Sequence, residues 1–571
     1  MTCRDQGVNA IEPTHTTTVA ARTTFRPTLD ALLRWRPEVA QESLLLAASV
    51  YFALVCNTAF WRALLADRPS FPSAAGYAVA VGVALVAVHF IVLGLAANRW
   101  TIKPLLALSI LVASTSSFFA GAFGIHVDPG MMRNVLRTDF GEARELLSVT
   151  LLHHLFLTAG PPLVLLRQVR VRRRALLRAL ALRAGLLGLA GVAAVVALSP
   201  VVKDFAAQMR NHKEIRFLAT PANALYSFAR VLTQDAQAAH RPRTPVATDA
   251  RLGERWNGQT RPVLFILVVG ETARAANWGL NGGSAHDTTP QLARLDVINF
   301  PTVSSCGTNT EVSVPCMFSA HGRRNYDEEA IRSSESLLHV LQRAGLRVVW
   351  NDNQSGCKGV CARLESLRPD RAALAGLCDP EHCLDEALLA SSDALLRDNR
   401  DNLVLVLHQL GNHGPAYHRR HPAAFRRFTP TCDSQDLSRC SRDEIINSYD
   451  NALLYTDHVL AQTIRRLEAL QQSYDTALLY VSDHGESLGE KGLYLHGMPY
   501  AIAPAEQTRV PMLLWISTGY ARRFGLDLAC LREHAGRSLS HDHLFHSVLG
   551  LLDVRTAVHE RALDFVAACQ S

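Results

Sequence analysis

Charge is scarce in this sequence. Asp, Glu, Lys and Arg make up 19% of the 571 residues, too few for a chain that is soluble throughout, so membrane spans are the first thing to seek. The first 40 residues lack an apolar core. They are polar and rich in Thr and Arg, which argues against a cleavable export signal and for a cytoplasmic tail. No internal repeat is present, which excludes a solenoid. The net charge of +7 comes mostly from Arg, but no aromatic residues interleave with the basic clusters, so nucleic acid is not an expected partner. Beyond residue 205 no apolar run is long enough to cross a bilayer.

Before residue 205 there are five such runs, at about 43–65, 75–98, 104–124, 148–167 and 180–202. The basic residues alternate between the loops. Arg22, Arg26, Arg34 and Arg36 precede the first run, Arg99 and Lys103 follow the second, and Arg167, Arg170, Arg172, Arg173, Arg174 and Arg178 follow the fourth. Such loops stay in the cytoplasm, which puts everything after the fifth run outside. His89, His153 and His154 are the main ionisable groups within the runs, so the bundle reads as an anchor rather than a transporter. The expected organisation is a tail (1–40), a five-helix transmembrane domain (41–204), a bridging segment with helix along the membrane surface (205–254) and an exported catalytic domain (255–571). The loop between the third and fourth runs holds a helix-like Met131–Leu147 and is placed to touch that domain.

Ten of the twelve cysteines lie beyond residue 300, and eight of them form close pairs: Cys306 with Cys316, Cys357 with Cys361, Cys378 with Cys383, and Cys432 with Cys440. Close pairs in an exported domain argue for disulfides, with zinc or redox chemistry at Cys357 and Cys361 as the rival reading. Cys530 and Cys569 are left over as a further pair.

From residue 255 the pattern is α/β. Apolar strands at Val263–Val269, Leu346–Trp350, Leu403–Leu407, Ala477–Val481 and Val510–Ile516 alternate with helices, which predicts a mostly parallel sheet covered on both faces. Ligands gather beyond the carboxyl ends of such strands. The polar residues there are Glu271, Asn351-Asp352-Asn353, Asn412-His413 and Asp483-His484. Two carboxylates and an imidazole, Glu271, Asp483 and His484, suit zinc or a similar divalent ion, although any one of them could instead cap a helix. The hydroxyl-rich segment Cys306–Cys316 offers nucleophile candidates at a helix N-terminus, or simply helix caps.

Four motifs carry a resemblance. They are Val269-Gly270-Glu271-Thr272-Ala273-Arg274, the run from Ser305 to Ser319, Gly411–Tyr417 and Ser482-Asp483-His484-Gly485-Glu486-Ser487. In this order, behind a five-span anchor, they resemble the lipid A phosphoethanolamine transferases, including the mobile colistin-resistance enzymes. The resemblance implies an alkaline-phosphatase-like fold and a zinc-dependent transfer of phosphoethanolamine from phosphatidylethanolamine to lipid A. It also implies polymyxin resistance and a monomer in the bacterial inner membrane with its catalytic domain in the periplasm. By motif position the zinc ligands are Glu271, Thr310, Asp483 and His484, with Thr310 the nucleophile. Lys358 matches a substrate-binding lysine. His413 and His496 match histidines that contact the transferred group or a second zinc, and Asn134 and Glu142 match residues that engage the phosphoethanolamine. The chain departs from the family at Asn309 and Glu311, where small residues are usual. Alternative readings are a core sugar or other glycan as acceptor, and a membrane-bound sulfatase or phosphodiesterase. A non-catalytic metal sensor would leave Thr310 unexplained.

Overall fold

The computed structural model describes residues 36–66, 71–138, 140–240 and 243–571. Most of the expected tail lies outside them, as do Cys3, Arg22, Arg26, Arg34 and Asp139. The first half is helical: α1 (Gln41–Tyr51), α2 (Thr58–Leu65), α3 (Phe71–Ala96), α4 (Ile102–Phe123), α5 (Pro129–Arg137), α6 (Phe140–Glu145), α7 (Val149–Thr158), α8 (Gly160–Gln168), α9 (Leu176–Leu198), α10 (Val202–Asn211) and α11 (Ala222–His240). Three segments are long and apolar enough to cross a membrane: Ala74–Ala96, Ile102–Phe123 and Leu176–Asn211. Two bent pairs meet the same length and composition only together, Gln41–Cys56 with Thr58–Leu65 at 62° and Val149–Thr158 with Gly160–Gln168 at 41°. Counted as one span each, they bring the total to five.

Both bends have local causes. At the first, a π-helical turn (Phe52–Cys56) runs into Asn57, whose amide donates to Phe52 O and Thr220 O while its Oδ1 accepts from Thr220 N. The freed backbone groups are thereby satisfied without water. At the second, Pro161 and Pro162 remove two backbone donors. The single helix expected over Met131–Leu147 is two, α5 and α6. Thr138 leaves the helical region (φ −60°, ψ 131°) and its Oγ1 donates to Asn134 O, which ends α5.

The second half is built on an eight-stranded sheet: β1 (Val263–Gly270), β2 (Ile298–Ser304), β3 (Arg347–Asp352), β4 (Glu365–Leu367), β5 (Leu403–His408), β6 (Asp475–Ser482), β7 (Arg509–Ile516) and β8 (Leu539–Ser540), in the order β8-β2-β7-β6-β1-β5-β3-β4. It is a mixed sheet. β7 pairs antiparallel with both β6 and β2, and the other neighbours are parallel. The apolar run of β7 correctly marks a buried strand, but burial on both faces does not set direction. β7 follows β6 without a crossover helix, and an antiparallel neighbour needs none.

Side chains alternate between two cores. Val263, Phe265, Leu267 and Val269 enter one face, and Leu264, Ile266 and Val268 enter the other. The first face is covered by α14 (Leu337–Arg343) and the helix Asp542–Leu551, near α12 (Thr310–Met317) and α13 (Glu328–Ser333). The second face is covered by α15 (Glu386–Asp398) and α16 (Arg442–Ala469).

The close cysteine pairs are disulfides, as their spacing predicts. Cys306 bonds to Cys316, Cys357 to Cys361, Cys378 to Cys383, and Cys432 to Cys440. Cys378 and Cys383 also face each other across a single antiparallel bridge, while the bond from Cys432 to Cys440 closes the loop that leads into α16. The remaining two, Cys530 and Cys569, bond to each other.

Candidate active site

Gly270 pairs with Ser482 in register, so Glu271 and Asp483 leave neighbouring strands side by side. Thr272 then turns at φ +59°, a costly conformation for a β-branched residue. The turn aims its N–H at Asp483 Oδ1 (3.2 Å) and its Oγ1 at Glu271 Oε1 (2.5 Å). The loop after β5 crosses close by at Gly411 (φ +54°), where a Cβ would lie 2.6 Å from Glu271 O.

Thr310 is the first residue of α12, whose N-cap Asn309 accepts from Val312 N at 3.0 Å. Its Oγ1 donates to Glu271 Oε2 at 3.1 Å and lies 3.4 Å from His484 Nε2. A hydroxyl there sits among the unpaired N–H groups that favour a phosphate. His484 donates from Nδ1 to Gly485 O at 3.0 Å, which turns Nε2 toward Glu271 Oε1 at 3.3 Å and Asp483 Oδ2 at 3.4 Å.

This donor set fits a divalent cation. Glu271, Asp483 and His484 each bring a ligand atom within 4.8 Å of the others, and all three are buried. Asp483 Oδ2 is buried without a hydrogen-bond partner. Burial, reinforced by the charge of Glu271, pushes the Asp483 carboxyl up to about 6. A cation between the two carboxylates removes both penalties, and carboxylate with imidazole is a zinc donor set.

A second tier stands over this cluster. The His496 ring is 4.4 Å from that of His484 and 5.4 Å from that of His413, centre to centre. His496 Nδ1 bonds Glu486 Oε2 at 2.7 Å, and Glu486 Oε1 accepts from Tyr417 Oη at 2.5 Å. Burial, above all, pushes His413 down to about 3, so its imidazole is neutral, and its Nδ1 has no partner. Arg420 Nε holds His413 O at 2.6 Å, and Arg420 also pairs with Glu145 of α6.

Lys358 sits in the turn closed by Cys357–Cys361, at φ +49°. Its Nζ donates to Ser355 Oγ at 2.6 Å and pairs with Glu311 Oε1 at 3.3 Å, while neighbouring Gln354 donates to Glu271. α5 packs on α12, where Gly130 meets Val312, and Arg137 reaches Glu311 Oε2 at 3.3 Å. Asn134 and Glu142 ride on this covering loop, in α5 and α6, rather than in the Glu271–Thr310–Asp483–His484 cluster.

Not every strand-end residue converges. Asn351 turns back to Leu388 O, Ser391 and Ser392. Asp352 pairs with His408, Asn353 binds Asp385, and Asn412 binds Thr456 and Tyr449 O. Four residues that sequence reasoning did not single out matter here: Gln354, Arg420, Glu486 and His541. His541 accepts from Cys306 N through Nδ1 (3.0 Å) and donates from Nε2 to Ser482 O (3.0 Å), clamping the Cys306–Cys316 loop to β6. Only Glu486 carried a signal, its place two residues after Asp483-His484.

Residues 264–554 match the sulfatase family model, and residues 85–236 match the model described as phosphoethanolamine transferase EptA/EptB. The chain is 38% identical to the phosphoethanolamine transferase EptA of Salmonella typhimurium over 94% of its length and 98% of the relative's. It is 34% identical to the phosphatidylethanolamine transferase Mcr-1 of Escherichia coli, over 91% of this chain and 96% of that one. Among solved structures, the integral membrane lipooligosaccharide phosphoethanolamine transferase A of Neisseria meningitidis superposes with a TM-score of 0.86 at 35% identity, covering 94% of this chain and all of that one.

Proposed function

This chain belongs to the phosphoethanolamine transferase EptA family, and we propose that it moves phosphoethanolamine from phosphatidylethanolamine to a phosphate of lipid A by way of Thr310. The transfer lowers the negative charge of the cell surface, the basis for resistance to cationic peptides such as polymyxin. The observation that carries the reading is the Thr310 hydroxyl at a helix N-terminus, 3.1 Å from Glu271 Oε2 and 3.4 Å from His484 Nε2.

Glu271, Thr310, Asp483 and His484 would hold zinc, which when bound makes the Thr310 oxygen a better nucleophile and offsets phosphoryl charge. The Thr310 hydroxyl proton is already directed at Glu271 Oε2. Attack of Thr310 Oγ1 on the donor phosphorus forms an O–P bond and breaks the bond to diacylglycerol, leaving phosphoethanolamine on Thr310. His496 delivers a proton to the departing diacylglycerol oxygen, and Glu486 at 2.7 Å stabilises its imidazolium. The acceptor's phosphate oxygen then attacks the same phosphorus as the bond to Thr310 breaks, the Thr310 oxygen regains its proton from Glu271, His496 is reprotonated from solvent, and neutral His413 hydrogen-bonds the exchanging oxygens through its ring N–H. Lys358 steadies the non-bridging oxygens, while Asn134 and Glu142 on the covering loop receive the ethanolamine.

Donor and acceptor are both lipids. Residues 41–204 therefore serve as a multi-pass inner-membrane anchor, 205–254 as the bridge, and 255–571 as the periplasmic catalytic domain. Mass spectrometry of lipid A from cells with and without the protein is the test. One added phosphoethanolamine is expected with the unaltered chain and none with Thr310→Ala. Trapped enzyme modified on any residue other than Thr310 refutes the assignment.

A further inference from the structure

Glu311 follows the nucleophile directly, where a small residue was expected. Its carboxylate is fully buried, at 0% exposure, and three cations hold it. Lys358 Nζ is 3.3 Å from Oε1, and Arg137 Nη1 and Arg332 Nη2 are 3.3 and 3.6 Å from Oε2. The cluster extends outward. Arg133 pairs with Asp235 and Glu328, Arg332 with Glu328, and Arg137 with Asp235. Four cations in this group face Glu311, Glu328 and Asp235, and the carboxyl of Asp128 also bears on Arg133 and Glu328.

We propose that Glu311 is a specificity-determining residue: it sets the seat beside Thr310 to take a singly charged phosphodiester and to refuse a doubly charged phosphomonoester or inorganic phosphate. This rests on the reading of Thr310 as nucleophile and of Lys358 as a ligand of the donor phosphate.

The buried Glu311 carboxylate repels a phosphodiester, which carries one negative charge, about half as strongly as a phosphomonoester, which carries close to two at neutral pH. Glu311 itself is out of reach of solvent ions, so that repulsion is weakly screened. Without Glu311 the extra repulsion on a dianion is gone. The acceptor of the proposed reaction is itself a phosphomonoester, so a seat tuned in this way keeps acceptor and free phosphate out of the donor's place. The adjacency is direct: Gln354, four residues before Lys358, donates to the carboxylate that accepts from Thr310.

The test uses the full-length, zinc-loaded chain in detergent micelles at pH 8. Inorganic phosphate (a dianion) and dimethyl phosphate (a monoanion) are compared as inhibitors of phosphatidylethanolamine turnover, and their binding is also measured by calorimetry. Glu311→Gln keeps the shape and drops the charge. It should tighten phosphate about tenfold and dimethyl phosphate only about threefold, whereas Glu311→Asp should behave like the unaltered chain. Asp235→Asn, at the partly exposed rim, should shift the ratio the same way but less. If Glu311→Gln moves both anions equally, or neither, the proposal is overturned. If that variant does not fold, an unchanged ratio in Asp235→Asn overturns it instead. Failure of the transferase reading looks different: the unaltered chain does not turn over phosphatidylethanolamine, while the calorimetric ratio still decides the role of Glu311.

Discussion

Glu486 bonds His496, through which it would act on the proposed reaction, and Tyr417 fixes Glu486 from its other oxygen. Glu486→Gln should therefore leave the zinc content unchanged and lower kcat about 10- to 100-fold, the usual effect of losing a partner that orients a site histidine. Steady-state transfer assays alongside metal analysis check this, and an equal loss of zinc would mean that Glu486 acts on the metal cluster instead. Glu486 lies inside a motif that the sequence displays, yet only the chain's path turns its carboxylate onto a histidine ten residues away. Asp457 in α16 is a different case. It accepts from Gln291 N (3.0 Å) and Leu292 N (2.8 Å), and burial pushes its carboxyl from 3.8 up to about 7. Between these values the folded chain keeps a proton that the unfolded chain has lost. Its contribution is therefore most favourable below about pH 4 and is lost as the pH rises through 7. In unfolding midpoints measured from pH 4 to 8, Asp457→Asn should flatten the decline, and an identical slope would refute this account.

The helices of the covering loop show what element-level reading reaches. Its position between the third and fourth apolar runs put it outside, against the catalytic domain. The break at Thr138 and the ionic ties were not legible, and the ties depend on partners far along the chain. One tie joins α5 to Glu311 through Arg137. Another joins α6 to the His413 loop through Glu145 and Arg420, both nearly inaccessible. Glu145→Gln leaves the Arg420 guanidinium buried without a counter-charge, and breaking such a pair costs about 3–5 kcal/mol. A lower unfolding midpoint is expected together with slower transfer, since Arg420 also holds His413 O. A variant as stable as the original would show that the loop is not anchored there. β7 teaches the same lesson for strands, since its apolar run located it but could not orient it.

At the scale of the whole molecule, a catalytic domain closed by five disulfides joins a helical membrane region at a site holding two buried carboxylates. A cation that binds only the folded chain stabilises it by mass action. Chelation should therefore lower both transfer and the unfolding midpoint, and zinc should restore both. If chelation alters neither, the metal assignment fails. The apolar runs, the close cysteine pairs and the buried strands followed from the sequence alone, because each depends on transfer free energies and spacings that accumulate along a short stretch of chain. The meeting of Glu271 with Asp483, the direction of β7, the hold of Glu486 on His496 and the caging of Glu311 were decided only by the tertiary structure. Those contacts depend on strand register and on charges brought together from distant parts of the chain: Glu271 and Asp483 are neighbours because Gly270 pairs with Ser482.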